Sequence, residues 1–170
     1  MNHRPDQSEF AEYYMTYVSK VPDGDIRRTL REQAASAQAM LEAIPAPKAG
    51  HRYGPDKWSI RQVVSHINDT ERVFSFRAFW FARGLDLALP SFDQDEAIKG
   101  AVADDREWPG LIHEFMTIRS ATVDLFDSLD TEAWPRRGIA SGNPFTVRAL
   151  AWITAGHVEH HLRLLRERYL

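Results

Sequence analysis

Four stretches of this chain repeat their apolar residues at helical spacing, each bounded by proline, glycine or a capping residue, and that pattern leaves few folds open. The first follows Asp23 or Asp25, either of which can cap a helix. It carries Ile26, Leu30, Ala34, Ala37, Leu41 and Ile44 on one face before Pro45 and Pro47 stop it. The second starts after Ser59, a good N-cap, and runs to about Arg83 with Ile60, Val63, Val64, Ile67, Phe74 and Phe81 on its stripe and Gly84 just beyond. The third spans about 105–129, with Trp108, Leu111, Ile112, Phe115, Ile118, Thr122 and Leu125 on one side, and the fourth about 146–169. A shorter amphipathic stretch, from Phe10 to Val18, precedes Pro22. Residues 46–57 read as loop, and Pro135, Gly138 and residues 141–144 mark another turn-rich stretch. No run alternates with a period of two. The expectation is an all-α domain over 1–170: a four-helix bundle from about residue 23, preceded by a short N-terminal helix.

The connections constrain its topology. About twenty residues (85–104) separate the second and third helices, more than a hairpin needs. A helix of about 25 residues is about 37 Å long, and twenty extended residues reach about 65 Å. A full-length crossover therefore fits, giving an up-down-down-up bundle. Asp93, Gln94 and Asp95 lie on that crossover, where they would roof a site beneath it.

Composition narrows the chemistry. Cysteine is absent, which removes disulfides, thiolate zinc sites, iron–sulfur clusters and any cysteine nucleophile. Lys+Arg of 21 against Asp+Glu of 24 leave a net charge of -3, so neither nucleic acid nor an anionic membrane is an expected partner. The N-terminal residues contain no apolar signal core, and no apolar run approaches the roughly 20 residues of a membrane span. A soluble cytoplasmic protein is expected. Its chemistry must rest on histidine, carboxylates, hydroxyls and arginines, or on a metal they hold.

Seven histidines are present. His3 and His51 fall in tail or loop and His113 lies off its helix's stripe, so all three are expected at the surface. The last helix differs: His157 and His161 interrupt an apolar stripe of Val147, Leu150, Ala151, Thr154, Val158, Leu164 and Leu165. At i, i+4 they stack on one face, which suits one metal ion and equally a pair of structural core histidines. His66 is the natural third member. In an up-down-down-up bundle its helix runs antiparallel to the last one. His66 then lies about 10 Å from its helix's start and His161 about 12 Å from the other helix's end, at one level. Competing motifs are missing. His157 is followed by Val158, which rules out HExxH, and the positions three before the histidines (Val63, Thr154, Val158) lack the glutamates of a di-iron bundle.

Three segments, HINDTERVFSFRA after KWSI, LPSFDQD, and TVRALAWITAGHVEHH, resemble the DinB-like (YfiT-like) superfamily of bacterial proteins in order and position. The resemblance covers nearly the whole chain. It implies an up-down-down-up four-helix bundle, commonly a homodimer, and one divalent metal ion held by His66, His157 and His161. Zinc or nickel would be the first choice, with iron, cobalt and manganese also compatible with imidazole ligands. The superfamily includes transferases that use bacillithiol or mycothiol and members called metal-dependent hydrolases. The implied activity is transfer of a low-molecular-weight thiol to an electrophile. The alternatives are hydrolysis of a small molecule and a non-catalytic structural or regulatory homodimer.

Around such an ion, Asp69 is one turn past His66 and would orient an imidazole, and His160 lies to one side as a further contact. Arg72, Arg77 and Arg148 would hold a carboxylate or a thiol's acidic groups. Glu159 is expected in solvent. Trp58, Phe76, Phe79, Trp80 and Trp152 are expected in the core or a dimer interface.

Overall fold

Helix starts fall where capping side chains stand. In the computed structural model, which describes residues 3–170, Asp25 caps α2 (Ile26–Glu42), and Ser59 with Gln62 forms a reciprocal capping box on α3 (Ile60–Ala82). Thr146 caps α6 (Val147–Arg168) by accepting from the Ala149 N–H. Arg83 ends α3, and Gly84 follows at φ +72°, the left-handed region that a helix C-terminus favours glycine to enter. The third long helix, α5 (Trp108–Asp127), starts with Pro109 in its first turn, where the missing N–H costs nothing.

Contacts between these helices fix their directions. The Trp108 Nε1–H donates to the Ile44 carbonyl, joining the start of α5 to the end of α2. At the other end Arg31 of α2 pairs with Asp127. Along α3 and α5 the contacts advance together, from Asn68 with Leu111 to Glu71 with Arg119, so these two helices are parallel. α6 runs against α3, since the Tyr169 hydroxyl at the end of α6 donates to the Trp58 carbonyl just before α3 begins. The bundle is up-down-down-up, as the crossover length suggested.

Apolar packing divides into two clusters. One holds Ile26, Leu30, Phe74, Phe81, Phe126, Leu150 and Trp152, the other Leu41, Ile60, Val63, Ile67, Trp108, Phe115, Leu162 and Leu165. Between them lies a level of buried polar side chains: Gln33 on α2, Glu71 on α3, Arg119 and Thr122 on α5, and Thr154 and His157 on α6. The candidate site belongs to this level.

Three details go beyond or differ from the expectations. The turn-rich stretch before α6 is a β-hairpin, β1 (Arg137–Ala140) and β2 (Asn143–Thr146), so the domain is mostly but not wholly helical. Four-residue strands are too short to show alternation, and the two-residue turn at Ser141 and Gly142, with φ +52° and +73°, sets the register. The crossover is not bare loop. It contains α4 (Gln94–Gly100) and a 3₁₀ turn at Ala103–Asp105, and Leu89 bonds the hairpin through both its N–H and its carbonyl. The N-terminal stretch, expected as one helix, is two 3₁₀ turns (Gln7–Glu9, Glu12–Tyr14) and the single helical turn α1 (Met15–Val18). No helix among the described residues is long and apolar enough to cross a membrane.

Candidate metal centre

Four residues of α-helix advance about 400° in rotation, so His157 and His161 project from α6 one above the other. α3 brings His66 opposite them. The His157 Nε2 lies 3.0 Å from the His66 Nε2 and 3.1 Å from the His161 Nε2. One nitrogen from each ring falls within 4.8 Å of the others, and the residues are only 3%, 3% and 8% exposed.

Such crowding is hard to satisfy with protons alone. An imidazole nitrogen offers one in-plane position, either an N–H or a lone pair. The His157 Nε2 can therefore complete a hydrogen bond to one neighbour but not to both. A cation that accepts all three lone pairs resolves the conflict, so this donor set fits a divalent ion. With Nε2 as the ligand atom, Nδ1 carries the proton. His66 Nδ1 then donates to Thr70 Oγ1 at 3.3 Å, whereas His161 Nδ1 is buried with no partner among the described residues.

Burial keeps the rings neutral, the state that binds metal. It pulls His66 down to about 4, and the charge of His160 acts in the same direction. Burial also holds His157 and His161 well below the usual histidine value, reinforced by the other histidines. Aromatic rings complete the enclosure: Trp58 lies 4.9 Å from the His66 ring, and Tyr17 and Phe74 lie 5.2 and 5.8 Å from that of His157. Gly156 permits this approach, because a Cβ there would stand 2.2 Å from the Tyr17 carbonyl oxygen.

From His66 and His157 a cavity of about 210 Å³ extends along α3 past Thr70, Val73, Phe74 and Arg77. Tyr13, Tyr14 and Tyr17 close one side, Phe92 and Gln94 of the crossover another, and Ser141 of the hairpin turn the far end.

The structure separates the remaining expectations. Gln94 reaches the cavity, but Asp93 is the cap of α4, accepting from the Asp95 and Glu96 N–H groups, and Asp95 is exposed. Asp69 does not orient an imidazole. Its carboxylate accepts from Arg72, and burial, helped by the charge of Glu114, raises its pKa against the pull of Arg72. Thr70 stands beside His66 instead. Arg72 is committed to Glu114 as well as Asp69, and Arg148 to Glu9, so neither is free for a ligand. Burial alone would raise Glu9, but Arg148 and Thr146 outweigh it and hold its pKa below the ordinary value. Arg77 does line the cavity.

His160 is half-buried, packed against Tyr17 and His161 outside the cavity wall. His3, His51 and His113 are exposed as expected, and Glu159 is half-exposed within reach of Arg166. Trp152 is core, Phe76 and Phe79 are exposed, and Trp80 is half-buried with its Nε1–H on the Leu87 carbonyl. Thr70, Tyr14, Tyr17 and Ser141 were not singled out by sequence. Three tyrosines within five residues were the available signal, and only the packing of α1 on α6 gives it meaning.

An up-down-down-up bundle with three histidines converging between its second and fourth long helices defines a class of fold and site. The chain belongs to the DinB superfamily, whose family model matches residues 29–165. It is similar in structure to YfiT from Bacillus subtilis, described as a probable metal-dependent hydrolase with an unusual four-helix bundle topology. That match has a TM-score of 0.71 at 16% identity, over 96% of this chain and 92% of the other. The mycothiol-dependent maleylpyruvate isomerase also matches, with a TM-score of 0.71 at 12% identity over 88% of this chain. This chain spans 62% of the isomerase's length. At these identities the likeness is one of fold. No curated protein matches the sequence.

Proposed function

We propose that His66, His157 and His161 hold one divalent ion and that the chain is a metal-dependent enzyme transferring a low-molecular-weight thiol to a small electrophile. The observation that carries the reading is the convergence of three buried Nε2 atoms, with His66 and His157 lining the end of a cavity. A divalent ion bound there supplies a Lewis acid that lowers the pKa of a thiol or water brought to it. The protein's own part is positional. Thr70 accepts a hydrogen bond from the His66 Nδ1–H and so holds that ring's tautomer. Trp58, Tyr17 and Phe74 keep bulk water from the rings, and the cavity orients the second reactant along α3. Absence of cysteine is no obstacle, because the sulfur comes with the cosubstrate. Support for thiol over water is the similarity to a mycothiol-dependent enzyme, and the YfiT description supports hydrolysis as the other outcome. The protein is further proposed to act as a homodimer, with the exposed Phe76, Phe79 and Leu87 as an apolar surface for it.

Elemental analysis of untagged protein tests the first step. One ion per chain is expected in the wild type and none in His66→Ala or His157→Ala; full retention by either variant refutes the ligand assignment. The loaded protein is then given bacillithiol or mycothiol with an alkylating electrophile, and separately a panel of esters and amides. Thiol adduct formation supports the reading. Hydrolysis without thiol moves it to the hydrolase, and stoichiometric metal with neither activity leaves a structural centre.

A further inference from the structure

Arg77 is 3% exposed, yet among the described residues no carboxylate pairs with its guanidinium. It donates through one terminal nitrogen to the Pro90 carbonyl at 3.1 Å and the Ser141 Oγ at 2.9 Å, and the Tyr14 hydroxyl lies close enough to interact with it. All three groups are neutral. A buried charge without a counter-ion is costly, and a guanidinium presents five donors of which neutral groups satisfy only a part. Arg77 also faces the cavity that begins at His66 and His157. Residues 66 and 77 are eleven apart, three helical turns within about 20°, and therefore share one face of α3.

We propose that Arg77 receives the carboxylate of a small-molecule ligand whose other end reaches the histidine centre, with Ser141 and Tyr14 holding the guanidinium in place. This rests on the metal-dependent reading above and adds the charge and length of what it acts on. Guanidinium and carboxylate match as a two-pronged pair, and exclusion of water strengthens their attraction. About 16 Å of helix separates the two α-carbons, and since both side chains lean toward the helix N-terminus the longer arginine stem closes the gap only by its extra reach, leaving on the order of 10 Å to span. The ligand is therefore elongated. It carries its acidic group several bonds from the reacting atom, whether that group belongs to the thiol or to the electrophile. The hairpin and the crossover hold the far end together, since Ser141 and Pro90 both contact Arg77 and Leu89 is bonded to the strand between them.

The test uses cobalt-loaded full-length protein and four probes: 6-mercaptohexanoate, its uncharged counterpart 6-mercaptohexanol, and the sulfur-free pair hexanoate and hexanamide. Binding is read by calorimetry, and thiol arrival at the metal by the sulfur-to-cobalt charge-transfer absorption. The acid thiol is expected to bind at least tenfold more tightly than the alcohol. In Arg77→Met that preference should fall below twofold, with cobalt content unchanged, while Arg77→Lys should retain part of it. Shortening the probe to 3-mercaptopropionate should also remove most of the preference. If neither thiol gives the absorption but hexanoate still outbinds hexanamide through Arg77, the carboxylate site stands and the thiol reading fails. Equal binding of acid and neutral probes by the wild type overturns the proposal, as does a preference that survives in Arg77→Met. Should the methionine variant not fold, Arg77→Gln serves as the second neutral replacement, and the wild-type comparison decides independently.

Discussion

Two arginines are almost fully buried in this bundle, and they are treated differently. Arg119 on α5 places its Nε and one terminal nitrogen on the two oxygens of Glu71, at 2.7 and 2.8 Å, and its other terminal nitrogen on Gln33 and the Leu30 carbonyl. Three helices meet at one guanidinium, and Gln33 extends the link to the Ala155 carbonyl on α6. Arg77 on α3 finds only neutral oxygens, and a cavity lies beside it. The first arrangement is closed, with charge and geometry both answered inside the chain. The second leaves a charge to be answered by something from outside. Burial alone therefore does not distinguish a structural charge from a binding one; the identity of its partners does.

Stability measurements can break that comparison. Arg119→Met leaves Glu71 charged and unpaired in the interior, which should cost about 3–5 kcal/mol in urea denaturation. Replacing Glu71 by leucine in the same chain should recover most of the loss, because an apolar pair of similar volume avoids the desolvation of both charges. Arg77→Met gives up hydrogen bonds to neutral groups but also removes an uncompensated charge, so its stability should stay within about 1 kcal/mol of wild type. Comparable losses in the two variants would mean that Arg77 is structural after all.

The histidines extend the contrast to pH. In the metal-free protein burial holds His66 near 4 and the other two well below the ordinary value. Unfolding releases them to about 6.5. Between these values the unfolded chain binds more protons than the folded one, so stability rises with pH. The unfolding free energy of chelator-treated protein should be level above about pH 7. It should decline below about 6.5, with the His66 share fully lost once pH falls below about 4. At ~1.4 kcal/mol per pKa unit, His66 alone contributes on the order of 3 kcal/mol. His66→Gln should flatten the decline. A flat wild-type profile from pH 8 to 4 would contradict the burial of neutral rings.

How much of this was legible beforehand follows the range over which each feature is determined. The four long helices announce themselves locally, through apolar period and through Asp25, Ser59 and Thr146 at their starts. The crossover followed from a length, and the meeting of His66, His157 and His161 from depth along antiparallel helices. The β-hairpin escaped because strands of four residues carry too little alternation, although the Ser141-Gly142 pair is a turn signal. Arg72, Arg77 and Arg148 could not be ranked by sequence, since an arginine's role depends on which acid the tertiary fold delivers. Glu114 comes from α5 and Glu9 from the N-terminal 3₁₀ turn. Nothing local marks Arg77 as the one that receives none.

Asp69 and Thr70 offer the finest test of the same lesson. Spacing along α3 favours Asp69 as the support of His66, because a carboxylate one turn away is a common partner for a ligand histidine. Position along the helix is not the same as direction around it. Asp69 turns to Arg72 and shares with it the surface network of Glu114 and Arg106, while Thr70, at i+4, stacks on His66 and meets its Nδ1. Thr70→Val keeps the side chain's shape and removes only the acceptor. Loss of such a support typically lowers metal affinity by about 10–100-fold, and for a neutral hydroxyl at 3.3 Å the lower end is expected, about 1.4 kcal/mol. Asp69→Ala should leave the affinity unchanged within about twofold, since a partly exposed ion pair contributes little beyond its own surface. Competition with a chelating dye measures both. If Asp69→Ala weakens the metal and Thr70→Val does not, helix spacing was the better guide and the observed side-chain directions do not govern the site.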